Sequence, residues 1–325
     1  DIYFEEKYGK LYEKMENGTC EVFEYHSSFG SIRHMFIKRK IPILLDGKAY
    51  FDLITPYGYG GPLILECEQG KEASLVREFE NSFSQYCEQN GVVSEFIRFH
   101  PIIGNAAFFG HMYDVSFARY TVGTDLFTYR DPIMEEVSKS TRKNIRRALR
   151  DGVGYRIIEK PKDLTIFKEI YYSTMDRNDA ADFYYFDDDY FRKCLDYFSD
   201  NIILTEAVYQ DKVIASSFGF FYNKYLHIHL SGTLTEYLYL SPAYILKYAS
   251  IQWALENNIH IIHYGGGRSN SEDDPLYTFK RGFGKNTTFK FYTGRRIWNT
   301  EIYNELCRIK HVPTNTEFFP AYRSH

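Results

Sequence analysis

The sequence predicts an α+β protein of two similar modules, each a mixed, mainly antiparallel sheet flanked by helices. Two observations carry this expectation. Apolar runs are separated by short polar turns, Gln210-Asp211-Lys212 and Tyr222-Asn223-Lys224, as in an antiparallel meander. The order β-β-β-α-β closes the second half and recurs in outline in the first, without sequence identity between the halves.

In the first half, Cys20 to Tyr25, Ile32 to Ile41 and Lys48 to Ile54 read as strands. A Gly-Pro-rich loop follows, Thr55-Pro-Tyr-Gly-Tyr-Gly-Gly-Pro62. Leu75, Val76, Phe79, Phe83 and Tyr86 recur at helical spacing from Lys71 to Asn90, and Gly91 supplies the stop before a strand from Val92 to Phe99. The segment Ile133 to Arg150 reads as one helix bearing Lys139, Arg142, Lys143, Arg146, Arg147 and Arg150, ended by Gly152. Its apolar stripe (Val137, Ile145, Leu149) is thin, so most of its surface is positive and suited to phosphates. Helices from Asp163 to Asn178 and Asp188 to Ser199 precede strands at Ile202 to Tyr209, Val213 to Phe221 and Tyr225 to Ser231. Ser241-Pro242 starts a helix to Asn257, with Ser as N-cap and Pro at the first helical position. A strand from Ile259 to Tyr264 then runs into Gly265, Gly266 and Gly267. The division expected is 1–130 and 131–325, with the basic helix 133–150 opening the second domain.

Composition narrows the class. At 325 residues, 44% hydrophobic and 25% charged, the chain has a globular composition and length enough for two domains. Aromatics reach 18%, which is read as compositional bias rather than as a stacking surface. A net charge of -4 argues against wholesale nucleic-acid coating, and hence against DNA as a partner, while allowing a local basic groove. The five cysteines show no C-x-x-C spacing, which disfavours zinc and disulfides and fits a reducing compartment. His227 and His229 lack a third ligand at convincing spacing, so no metal is expected. No apolar run reaches membrane-spanning length and no signal peptide is visible; the chain begins at Asp1 without Met, which allows a preceding segment.

The chemistry-bearing stretch is Gly265-Gly-Gly267 followed by Asp274-Pro-Leu-Tyr-Thr-Phe-Lys280-Arg-Gly-Phe-Gly284. Consecutive glycines after a buried strand let a ligand approach the backbone, because no Cβ intervenes. Lys280 stands among Phe279, Phe283 and two glycines, where a desolvated cation can meet a developing negative charge. Asp274 could pair with Lys280 or orient an amine. Tyr57 and Tyr59 could wall an acceptor site between domains, and Arg142 and Arg146 could bind pyrophosphate or tRNA phosphates. His229 and Ser231 should share one strand face and are kept outside the primary set.

Five strings taken together resemble a known family. Asp52-Leu-Ile-Thr-Pro-Tyr-Gly-Tyr-Gly-Gly61, Ser140-Thr-Arg-Lys-Asn-Ile-Arg-Arg-Ala148, Ser241-Pro-Ala-Tyr-Ile-Leu246, His263-Tyr-Gly-Gly-Gly267 and Phe279-Lys-Arg-Gly-Phe-Gly284 look like those of the FemABX-type peptidyltransferases. These, and the related FemAB-like acyltransferases, carry two GNAT-like domains in tandem. The resemblance runs from about residue 20 to 300. It implies transfer of an acyl or aminoacyl group to an amine, with no tightly bound cofactor. The implied donor is aminoacyl-tRNA or an acyl thioester of CoA or acyl carrier protein. The implied acceptor is a nucleotide- or lipid-linked cell-wall or sugar precursor. Lys280 matches the lysine of the family's Phe-Lys-x-Gly-Phe-Gly string, thought to meet the oxyanion. A cytoplasmic protein is implied, with peripheral attachment to the inner membrane face allowed.

One departure bears on the donor. CoA-dependent GNAT enzymes usually cradle pyrophosphate on an Arg/Gln-x-x-Gly-x-Gly/Ala loop, whereas Thr233 to Pro242 has no glycine and carries Glu236. Three readings therefore stand: a Fem-type aminoacyltransferase, a CoA- or carrier-protein-dependent N-acyltransferase acting on an amino-sugar, and a non-catalytic glycan or nucleotide-sugar binder.

Overall fold

The computed structural model describes residues 1–324, which fall into two compact units. One comprises residues 3–118 together with those from Lys290 onward; the other comprises Asp1–Ile2 and Arg119–Phe289. In chain order the elements are α1 (Glu6–Leu11), α2 (Glu13–Glu16), β1 (Gly18–Ser27), β2 (Gly30–Lys40), β3 (Phe51–Ile54), β4 (Leu63–Cys67), α3 (Glu72–Gln89), β5 (Val92–Arg98), α4 (Ala106–Phe109) and β6 (Asp114–Asp125). There follow α5 (Pro132–Glu136), α6 (Lys139–Arg150), β7 (Gly154–Glu159), α7 (Thr165–Arg177), α8 (Asp188–Phe198), β8 (Ile202–Tyr209), β9 (Lys212–Tyr222), β10 (Tyr225–Thr233), α9 (Pro242–Glu256), β11 (Ile261–Gly266), α10 (Pro275–Arg281), β12 (Thr288–Ile297) and α11 (Thr300–Ile309).

The N-terminal unit orders its strands β1-β2-β3-β5-β12, with β4 on β2. β3 and β5 run parallel, so α3 is the crossover between them. Leu75, Val76, Phe79, Phe83 and Cys87 form its buried face, close to the stripe expected, while Tyr86 sits half-buried at its edge. Removing side chains such as Phe79 and Phe83 from water contributes about 2 kcal/mol each.

The division expected at 130/131 is corrected in two places. The chain leaves the N-terminal unit after Ala118, within β6, and returns at Lys290, within β12. The return is physical: β12 pairs antiparallel with β5, and Tyr303, Leu306 and Cys307 of α11 pack on Ile41 and Val93. Arg323 then donates to buried Asp52, whose other oxygen accepts from Arg39 at 2.7 Å.

In the C-terminal unit the strand order is β6-β11-β10-β9-β8-β7. The meander β8-β9-β10 is antiparallel as expected, and β10 and β11 are parallel neighbours joined through α9. The helix expected over 133–150 is two helices. Val137 is extended (ψ 121), and Ser138 restarts the chain as an N-cap accepting from the Thr141 amide. Ser138 and Thr141 are the residues that favour a cap over an unbroken helix.

Candidate active site

Parallel strands β10 and β11 pair only from Tyr225↔Ile261 to His227↔His263. Beyond that point β10 is bulged between Ile228 and Leu230, and β11 is bulged between His263 and Gly265 against β6. Bulges turn strands and re-aim side chains, and the two strands run on to Thr233 and Gly266 without pairing with each other. Of the expected site residues of this unit, Gly265, Gly266, Asp274 and Lys280 gather where β11 ends.

Lys280 lies on α10, and its ammonium donates to the Gly266 carbonyl oxygen at 2.6 Å. Burial lowers its pKa to about 8, an effect that Asp274 opposes and Arg119 reinforces. An ammonium has three donors, so two remain beyond the Gly266 bond. Phe279 and Phe283 flank it with rings 5.5 Å apart, and Tyr244 of α9 meets them edge-on at 5.1 Å and tilted at 5.8 Å. The three rings belong to the core cluster of this unit.

Asp274 is not paired with Lys280. It caps α10, accepting from the amides of Leu276 and Tyr277 (2.9 and 3.0 Å) and from those of Arg268 and Ser269 (2.9 Å each). These bonds, that from Tyr277 foremost, hold its pKa at about 2. Asp274 is therefore a fixed anion that positions the helix carrying Lys280.

The glycines do not leave the gap expected of them. A Cβ on Gly266 would lie 2.8 Å from Arg119 Cδ, and one on Gly267 would lie 2.6 Å from Asp274 Oδ1. The space is filled by the unit's own side chains, and Gly266 contributes its carbonyl. Gly265 takes φ +73°, the left-handed region that the bulge requires. Gly282 would clash with Thr141 Oγ1 at 2.4 Å and Gly284 with the Gly123 carbonyl at 1.9 Å. The Phe279–Gly284 string thus packs onto the start of α6 and onto β6, and the Ser138 amide donates to the Gly282 carbonyl at 2.8 Å.

The two arginines part company. Arg142 turns inward and donates to the carbonyls of Ile133, Met134 and Val137, satisfying the C-terminus of α5. Arg146 is exposed, as are Lys143 and Arg150. Arg147 donates to Ser241 Oγ at 3.1 Å, so Ser241 starts α9 with φ +57° and without a side-chain cap. Ahead of it, the glycine-free segment Thr235–Leu240 winds into a 3-10 helix whose Glu236 pairs with Lys212 at 3.4 Å.

Tyr57 and Tyr59 belong to the N-terminal unit. Tyr59 stacks edge-on with Tyr3, His100 and Phe291, and the Tyr57 carbonyl accepts from the Tyr8 hydroxyl at 2.9 Å. An open cavity of about 770 Å³ in that unit, walled by Lys38, Tyr50, Phe51 and Trp298, holds none of the expected site residues. His229 is half-buried and meets Tyr190 Oη through Nε2 at 2.7 Å, whereas Ser231 is exposed; the bulge breaks the alternation that would have put both on one face.

Sequence reasoning missed Lys247 and Arg119. Lys247 follows directly on the Ser241–Leu246 string, but its helix is apolar nearly all round, so no periodicity marks a charged position as buried. Arg119 donates to the Gly267 carbonyl at 2.8 Å and lies in β6, an element not anticipated.

Comparison with known proteins bears on the fold and on the second unit. Residues 136–281 match the family model of the acetyltransferase (GNAT) domain. The structure of FemX superposes with a TM-score of 0.70 at 11% identity, covering 94% of each chain. L-PGS from Bacillus licheniformis superposes at 0.55 and 12% identity, covering 95% of this chain and 96% of that one. The fold and the matched domain are similar to those of GNAT acyltransferases. Among these the chain resembles the FemABX type: over 171 residues it is 27% identical to a UDP-N-acetylmuramoylpentapeptide-lysine N(6)-alanyltransferase of Weissella viridescens. The match takes in 52% of this chain, and the chain spans about half (49%) of that relative's length. Among the described residues no helix is long and apolar enough to cross a membrane.

Proposed function

We propose that this protein transfers an aminoacyl group to an amine of a nucleotide- or lipid-linked cell-wall precursor. The observation that carries the reading is the Lys280 ammonium, desolvated by burial and held in place by the Gly266 carbonyl. When an amine attacks an ester carbonyl, charge collects on the carbonyl oxygen, and a fixed cation in a dry site stabilises it by far more than it would in water. Because the lysine is already held, little reorganisation is needed as that charge develops. Asp274 acts through the helix it caps and is a positioning residue.

Exposed Arg146 and its basic neighbours on α6 are the surface for donor phosphates, while Arg142 is withdrawn from that role by its carbonyl contacts. Tyr57 and Tyr59 are assigned to the acceptor. The donor that fits is aminoacyl-tRNA, since Thr235–Leu240 coils tightly where a CoA enzyme would offer free amides. Such substrates would place the reaction in the cytoplasm, at the inner face of the membrane where the acceptor is lipid-linked.

A second reading, a CoA- or carrier-protein-dependent N-acyltransferase acting on an amino-sugar, is favoured by the acetyltransferase match over 136–281. Thermal-shift titration separates the two. Charged tRNA or a nucleotide-linked muramyl pentapeptide should raise the melting temperature, and acetyl-CoA should leave it unchanged. A micromolar response to acetyl-CoA would transfer the assignment to the second reading. No response to any of them would remove both.

A further inference from the structure

Lys247 is a second buried amine beside Lys280. It lies on α9 with 6% of its surface exposed, its Nζ 5.2 Å from the centre of the Tyr264 ring. Among the described residues no carboxylate or carbonyl accepts from it. The Tyr264 hydroxyl is engaged with Thr124 Oγ1 at 2.7 Å.

The charged groups on the elements packed against α9 are committed elsewhere. On β7, Glu159 accepts from the Trp253 indole, and on β8, Glu206 is paired with Arg156. On β9, Lys212 pairs with Glu236, and on α6, Arg147 bonds Ser241. On β10 buried His227 and half-buried His229 have lowered pKa values, and His263 on β11 meets Thr121. The charge acting on Lys247 is the ammonium of Lys280, with Asp274 behind it holding α10. Burial first, and Lys280 second, bring the Lys247 pKa down to about 7. Tyr264 and Gly266, which the two lysines touch, stand two residues apart on β11.

We propose that Lys247 is the proton acceptor of the site, an amine that takes the proton of the attacking ammonium while Lys280 stays charged beside the carbonyl oxygen. This rests on the acyl-transfer reading above. The step balances as follows. The acceptor's ammonium gives one proton to Lys247, and its freed lone pair bonds to the carbonyl carbon. The displaced π pair moves to the carbonyl oxygen, facing Lys280. Collapse re-forms the carbonyl and breaks the bond to the leaving oxygen, which takes the second proton from the attacking nitrogen. Lys247 then releases its proton to solvent. A buried lysine without a carboxylate, next to a second cation, is the arrangement that supplies an unprotonated amine near neutral pH.

The test is a pH–rate profile of Lys247→Met and Lys247→Arg beside the parent, with folding checked by thermal melts. In the parent, kcat/KM should rise with pH through about 7. Lys247→Met should lose that limb and fall roughly 100-fold at neutral pH. Lys247→Arg keeps a charge without an accessible lone pair and should not rescue. Either variant matching the parent at neutral pH would overturn the proposal. Should Lys247→Met fail to fold, an NMR titration of lysine side chains decides without substrate. The Lys247 midpoint should lie near neutrality and move up in Lys280→Met; an ordinary lysine midpoint, unmoved, would overturn the proposal. A parent without transfer activity but with that titration would sink the acyl-transfer reading and leave the unprotonated amine standing.

Discussion

Replacing Lys280 by Met separates chemistry from stability. The lysine's pKa falls from 10.5 to about 8 on folding, and each unit corresponds to about 1.4 kcal/mol, so keeping the buried amine charged costs on the order of 3 kcal/mol. The folded pKa is depressed, so between about 8 and 10.5 the unfolded chain holds more protons than the folded one. Stability from this group therefore rises with pH across that window, and the penalty is fully present below it. Methionine fills similar space without charge, but it leaves the Gly266 carbonyl without its donor, a loss of about 1–3 kcal/mol. The two terms nearly cancel. Lys280→Met should melt within a few degrees of the parent at neutral pH while losing about 100-fold or more in kcat. Thermal melts at neutral and alkaline pH, paired with single-turnover transfer, measure both. Turnover equal to the parent's would refute the oxyanion role, and a large drop in melting temperature would make Lys280 a structural residue instead.

Three further outcomes follow from the same unit. Gly284→Ala places a methyl group 1.9 Å from the Gly123 carbonyl and should give a strongly destabilised or insoluble chain, seen by melting and expression yield. Arg146→Glu should leave the melting temperature unchanged and weaken binding of a tRNA donor in a salt-dependent way. Arg142→Met should instead lower the melting temperature by freeing the carbonyls at the end of α5.

Much of the C-terminal unit was legible because its elements announce themselves locally. The meander carries its own turn residues, with Gln210, Asp211 and Asn223 at positive φ, and α9 begins at Pro242 as its sequence implies. Lys280 between Phe279 and Phe283 stood out for the same reason, since the three lie within a few residues of one another. What stayed hidden depends on partners far away in the chain. That Gly266 and Gly267 make room for Arg119 and Asp274 rather than for a ligand follows from tertiary approach alone. Val137 is buried as expected, yet the backbone breaks there because Ser138 caps a new helix and its amide finds the Gly282 carbonyl. β6, β7 and β12 went unseen because their strongly mixed polar and apolar patterns, such as Arg295 and Arg296 in β12, do not alternate cleanly.

The return of the chain at Lys290 has a consequence for synthesis on the ribosome. Residues 119–289 emerge as one stretch and hold nearly all of the C-terminal unit, whereas β5 waits for β12, and Asp52 for Arg323, until the segment from Lys290 onward is made. The N-terminal unit is thus begun before the other and completed after it, with a sheet edge open in the interval.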